Sequence, residues 1–174
     1  MVPDDWSRDL VTRTGFHFHV RPAAPSDEAA LSDFFTHVTP DDLRFRFLTG
    51  IRQVGHERLV EMTSIDHRRT ENFLAFENGK SDILATAMLA CDEAMQIGEI
   101  AIAIRSDYKA RGISWELLAH VAEYAKAKGL TTIQSIESSA NHAAIEMERQ
   151  MGFVATQYPG DATLMLVRRQ LKPL

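Results

Sequence analysis

The chain has one cysteine in 174 residues, Cys91, which excludes an internal disulfide and fits a reducing compartment. Cys91 closes an apolar run, so it reads as a buried structural thiol rather than a nucleophile. Long apolar segments are missing as well. The most apolar stretch, residues 82–91, is far shorter than the roughly 20 residues that span a bilayer. The opening residues, Met1-Val2-Pro3-Asp4-Asp5-Trp6, lack the basic-then-apolar order of a secretion signal, so a cytoplasmic protein is expected. Surplus positive charge is absent: the net charge of −5 argues against nucleic-acid binding by the surface as a whole. Neither a Gly-x-x-x-x-Gly-Lys run nor a Gly-x-Gly-x-x-Gly run occurs, which leaves a nucleotide-binding reading without support. With no repeat and no low-complexity tract, the length suits one domain. Residues 1–15 read as a lead-in ending at Gly15, and residues 16–171 as the domain itself.

What is present is a clear succession of elements. Residues 16–21 alternate as a strand, and Pro22 to Pro25 break it. Ser26 is placed to cap a helix that buries Leu31, Phe34, Phe35 and Val38. Thr39-Pro40-Asp41-Asp42 starts a second helix, with Gly50 as its stop, and a third covers His56 to Thr63. Strands follow at 72–77 and 82–91, joined by the hairpin dipeptide Asn78-Gly79. A further strand, 97–104, puts Ile100, Ile102 and Ile104 on one face and Glu99, Ala101 and Ala103 on the other. Ile113, Leu117, Val121 and Ala125 give a helix that Gly129 ends. A strand at 130–136, a helix from Asn141 to Gly152 and two closing strands complete the order. This is neither regular βαβ alternation nor an all-β pattern. The expected class is α/β of the α+β kind, a mixed sheet with helices on both faces.

The chemistry concentrates in Lys109-Ala110-Arg111-Gly112-Ile113-Ser114. A strand leads into this loop and a helix leads out. Gly112 lets backbone approach a ligand, and no acidic residue occupies the first helical turn before Glu116. Free N–H groups and a helix N-terminus then converge on one point, a seat for an anion such as a pyrophosphate.

Together with Asn141-x-x-Ala144-x-x-Met147-Glu148-x-x-x-Gly152-Phe153, this loop resembles the coenzyme-binding signature of the GNAT N-acyltransferases. The family's loop runs Gln/Arg-x-x-Gly-x-Gly/Ala. Its later helix runs Asn-x-x-Ala-x-x-Leu-Tyr-x-x-x-Gly-Phe. The resemblance is closer still to the acyltransferase domain of bacterial protein-lysine acetyltransferases, through Arg21-Pro22, Thr39-Pro40-Asp41-Asp42, Arg46-Phe47 and Ile65-Asp66 in that order. It implies a GNAT-like fold with a central, mostly antiparallel sheet. It also implies acetyl-CoA as co-substrate, bound by Ile102, Ala103 and Ile104 of the strand, by Lys109, Ala110, Arg111, Gly112, Ile113 and Ser114 of the loop, and by Asn141. Lys109 and Ser114 depart from the family pattern. Glu148 stands where the family has the tyrosine that often protonates the leaving thiolate, so that role is not carried over.

The resemblance places Glu99 where many of these enzymes hold a general base. Alternation puts it beside Ala101 and Ala103, with room for a ligand. Partial burial there is expected to raise its pKa toward the working pH. His17 and His19 share a strand face, but no further ligand has recognisable spacing, and no metal site is expected. The reading is therefore an acetyl-CoA-dependent N-acetyltransferase acting on a primary amine, a protein lysine or a small molecule. The alternative is a non-catalytic acyl-CoA-binding regulatory domain. No nucleic-acid or membrane partner is implied, and a homodimer stays open.

Overall fold

The computed structural model describes residues 4–48 and 51–171. Strands β1 (Arg8–Val11) and β2 (His17–Pro22) are followed by helices α1 (Glu28–Thr36), α2 (Pro40–Phe47) and α3 (His56–Thr63). Strands β3 (Thr70–Glu77), β4 (Ile83–Cys91) and β5 (Ile97–Ile104) lead to helix α4 (Ile113–Ala127). Strand β6 (Thr132–Ser138), helix α5 (His142–Gln150) and strands β7 (Val154–Gln157) and β8 (Leu164–Gln170) close the chain. The strands form one sheet in the order β1-β2-β3-β4-β5-β6-β8-β7. Every neighbouring pair is antiparallel except β5 and β6. Helices cover both faces, as the α+β reading expects.

Local chemistry explains where the helices start. Thr39 Oγ accepts from the Asp42 amide at 3.1 Å and Pro40 opens α2. Helix α2 stops at Phe47 on a left-handed Leu48 (φ 55°); Gly50, the expected stop, lies outside the described residues. Asn141 caps α5 through the Ala144 amide. The cap expected at Ser26 is not formed. A 3-10 turn, Pro25–Asp27, precedes α1 instead. Asp27 accepts from the Ala24 amide and pairs with both terminal nitrogens of Arg21 at 2.8 Å, so this carboxylate organises the turn.

Alternation along the strands splits the interior into two layers. Phe73 and Ala75 join Ile113, Leu117 and Val121 of α4 on one face. Leu74, Ile83 and Ala103 meet Leu31, Phe34 and Leu59 of the first three helices on the other. Ile100, Ile102 and Ile104 face α4 while Ala103 faces away, the division read from the sequence.

The segment expected as a lead-in is part of the sheet. Arg8 to Val11 pair with Val20 to His17, and Trp6 sets its ring edge-on to His120 and Tyr124, with centroids 6.0 and 5.7 Å apart. A four-residue strand gives almost no periodic signal, and the ring contacts that anchor its approach come from residues over a hundred positions away.

One feature of the sheet positions everything that follows. β5 is paired with β4 from Gly98 to Ile104, and β6 with β8 from Thr132 to Ser138. Between them, only Ile97, Gly98 and Glu99 find partners, in Thr132, Ile133 and Gln134. Beyond Glu99 the two strands part.

Candidate active site

The parted strands bound a cleft of about 560 Å³. Ile102, Ala103 and Ile104 line it from β5, and every residue from Lys109 to Ser114 lines its far end. Asn141 reaches it from the start of α5. All ten residues expected to hold the coenzyme therefore meet in one cavity. Arg13 and Thr14 also line it, from the β1–β2 turn, and so does Arg46 of α2. Sequence reasoning missed Arg13 and Thr14, because nothing local ties that turn to a loop a hundred residues later.

The loop has the geometry of an anion seat. Ala110 and Gly112 both adopt left-handed backbone (φ 61° and 85°), which turns successive amides toward the cleft. Gly112 is the residue before α4, and the Gly112, Ile113 and Ser114 amides meet no protein acceptor among the described residues. A β-carbon at Gly112 would lie 3.4 Å from Thr12 Cβ, so the β1–β2 turn packs directly over this backbone. The Arg13 guanidinium lies 4.1 Å from the Trp115 ring centre, and that of Arg111 lies 4.8 Å from the Tyr108 ring. Both charges are thus braced beside the free amides. Lys109 differs: its Nζ is 2.6 Å from Asp42 Oδ2, tying the loop to α2.

Glu99 stands apart. It is exposed, in the last paired register position, and the cleft lining begins one residue later at Ile100. The partial burial expected for it is not present, because it closes the ladder at the rim rather than entering the gap. On that side Arg46 holds Nη2 3.6 Å from Met88 Sδ, and its Nε has no partner. Burial lowers the Arg46 pKa to about 10, while the charge of Glu99 pulls it back up.

The β6–α5 wall holds a group of residues that sequence reasoning assigned no role. Glu148 is 3% exposed and Ser135 is 4% exposed. The Ser135 hydroxyl donates to Glu148 Oε2, while Oε1 meets no protein donor. Asn141 Nδ2 donates to Glu137 Oε2 at 3.3 Å. Burial raises the pKa of Glu148, and the neighbouring Glu137 raises it further. Glu137 is raised by burial too. Burial and the like charge of its neighbour thus both act against ionisation of Glu148. The sequence did carry a signal. Glu148 follows Ile145 at helical spacing, on the apolar side of α5, and Glu137 follows Ile133 and Ser135 on the inward face of β6.

Comparison with known proteins is consistent across three kinds of match. The profile of the Acetyltransferase (GNAT) family matches residues 34–153. An acetyltransferase of Pseudomonas aeruginosa is 29% identical over 171 residues, covering 97% of this chain and 90% of that protein. The Escherichia coli N-acetyltransferase for the alanine of ribosomal protein bS18 is 30% identical over 82 residues, covering 47% of this chain and 53% of that protein. In structure, the GNAT domain of Streptomyces lividans PAT superposes with a TM-score of 0.89, covering 98% of this chain and all of that one, at 20% identity. A Salmonella typhimurium protein solved with its cofactor acetyl-CoA has a TM-score of 0.69 at 20% identity, covering 89% and 94%.

Proposed function

As a member of the GNAT acetyltransferase family, the chain is an N-acetyltransferase of the acetyl-CoA-dependent kind, and we propose that the cleft between β5 and β6 is where transfer occurs and that a protein lysine is the acceptor. The observation that carries this reading is the parting of the one parallel strand pair beyond Glu99 and Gln134, with free loop amides at the end of the gap.

Each part has a physical task. The amides of Gly112, Ile113 and Ser114, with Arg111 and Arg13 beside them, hold the pyrophosphate at the positive end of α4. Main-chain donors on the edge of β5 that faces β6, which has no partner strand beyond Glu99, orient the pantetheine arm and face the thioester carbonyl. As the amine nitrogen bonds to that carbon, negative charge moves to the oxygen, and fixed donors stabilise it without reorganising. Glu99, through water, accepts the proton that an ammonium must lose before it can attack. Its exposure supports a large acceptor: a carboxylate at the rim is within reach of a lysine on another protein's surface. The motifs at Arg21-Pro22 and Thr39-Pro40-Asp41-Asp42 favour the same acceptor class.

The test is thiol release from acetyl-CoA with lysine-bearing protein, lysine peptide or small amines as acceptor. Glu99→Gln is expected to lower kcat by about 100-fold or more with coenzyme A affinity unchanged by calorimetry. Binding of coenzyme A without thiol release from any acceptor would favour the regulatory-domain reading. Turnover unchanged in the variant would remove Glu99 as base.

A further inference from the structure

Arg46 is a cation that the cleft leaves unanswered. It lines the cavity from α2, its Nε is buried, and that nitrogen meets no acceptor among the described residues. Its Nη2 has only a soft contact, donating to Met88 Sδ at 3.6 Å. A second guanidinium, that of Arg58, stands over the same Phe47 ring, at 5.0 Å against 4.8 Å for Arg46. Glu99 attracts Arg46 without forming an ion pair, and Arg58 repels it. Other cations of the chain are matched. Arg21 has a two-pronged pair with Asp27, and Lys109, on the same cleft, has Asp42. A guanidinium withdrawn from water without a partner costs stability, and burial has already lowered this one's pKa to about 10. Unmet polarity of this kind is retained where a ligand supplies the missing partner.

Its position narrows the ligand. On α2, Asp42 reaches Lys109 of the anion loop, and Arg46 follows one helical turn later. Met88, which Arg46 touches, is paired with Ala101 of β5. Alternation puts Ala101 on the face it shares with Glu99 and Ala103. The guanidinium therefore stands over β5 between the loop and Glu99, beside two alanines that leave room. In the transfer reading this is where acyl carbon and amine meet, beyond the seat of the coenzyme's phosphates. A guanidinium presents parallel N–H donors that match the two oxygens of a carboxylate.

We propose that Arg46 is a carboxylate receptor at the reacting end of the cleft, so that the enzyme favours a substrate carrying a carboxylate close to the reacting carbon. The inference rests on the transfer reading of this cleft and adds a substrate class to it. Two sources share the chemistry: an acyl chain that ends in a carboxylate, as in succinyl-CoA, or an acidic residue beside the acceptor lysine.

The experiment sets anionic substrates against neutral matches. Succinyl-CoA is compared with butyryl-CoA on a neutral lysine peptide, with spontaneous thiol release subtracted. Acetyl-CoA is then given to Glu-Lys and Gln-Lys peptides. In wild type one anionic member is expected to exceed its match by about tenfold or more in kcat/KM, and the arm in which it does so names the source. Arg46→Met, which removes the charge and keeps an unbranched chain, should bring that ratio to about one, and Arg46→Lys should restore part of it. Calorimetry of succinyl-CoA against butyryl-CoA reads the acyl arm without any transfer. In denaturant titration Arg46→Met should be no less stable than wild type. Ratios near unity in both arms of wild type overturn the proposal and leave acetyl transfer standing. So does an Arg46→Met variant that loses coenzyme A itself as strongly as the anionic substrate, because the guanidinium then serves the coenzyme's phosphates. A drop in stability with the ratios unchanged marks a structural guanidinium and overturns it too. Calorimetric preference for succinyl-CoA without thiol release to any acceptor removes the transfer reading and keeps the receptor.

Discussion

The two halves of the sheet are built from similar strands and put to different uses. From β1 to β5 each strand is hydrogen-bonded to its neighbours along nearly its whole length. From β5 to β6 the ladder stops after three residues, although both strands run on for several more. The first half satisfies its own backbone and closes a dry core. The second leaves backbone groups free and fills the opening with residues that a core would not tolerate. The cleft proposed to bind the coenzyme is not an addition to the fold. It is what remains when two parallel neighbours are held together at one end only.

The largest contrast should come from damage to the continuous half. Phe73 is fully buried beside His120 and Tyr124. Phe73→Ala is expected to cost about 3–5 kcal/mol in denaturant titration, while coenzyme A affinity, measured where the protein remains folded, changes little. Equal losses of both would mean that the halves are not separable.

Gly112→Val should show the opposite profile. Left-handed backbone at φ 85° suits no β-branched residue, and Thr12 crowds the new side chain. A loss of more than about tenfold in coenzyme A affinity, roughly 1.4 kcal/mol or more, is expected by calorimetry. Affinity at the wild-type level would show that the loop backbone is not the anion seat.

The halves should also differ in the pH at which they fail. His120, buried on the continuous side, has its pKa pushed down to about 4 by burial. The unfolded chain takes up that proton near pH 6.5 and the folded protein does not, so stability is present above this range and is lost as pH falls toward 4. The expected loss is up to about 3 kcal/mol, and His120→Leu should flatten it in thermal unfolding at graded pH. Glu148 on the split side has its pKa raised. Its stabilising effect is complete below the unfolded carboxyl range and declines as pH rises through the raised value. Glu148→Gln should therefore be as stable as wild type at pH 4 and more stable at pH 9. Parallel curves for wild type and either variant would refute the corresponding assignment.

The smallest effect concerns the tie between loop and helix. Lys109 and Asp42 are both partly exposed. Lys109→Met should cost no more than about 1 kcal/mol in denaturant titration, with less sensitivity to salt than wild type.

How much of this was legible beforehand follows from the range of the forces involved. Strand 97–104 was read at its true limits, because alternating isoleucines report a local periodicity. The loop at Gly112 and the cap at Asn141 were readable for the same reason: their chemistry is written within six residues. β1 was not, and with it went Arg13 and Thr14, since a four-residue strand is defined only by its partner. Glu99 was placed on the right strand and face but taken as part-buried, because its exposure depends on where β6 leaves β5. Glu137 and Glu148 lie eleven residues apart on different elements, and only the packing of α5 on β6 makes them a pair.

The turn between the first two strands has a practical side. Thr12 rests on the glycine that opens α4 and Arg13 braces Trp115, so the β1–β2 hairpin acts as a clasp on the loop proposed as the phosphate seat. If the loop is the proposed seat, a protease nick or a bulky fusion that peels this hairpin back weakens coenzyme binding while every residue of the signature loop stays intact.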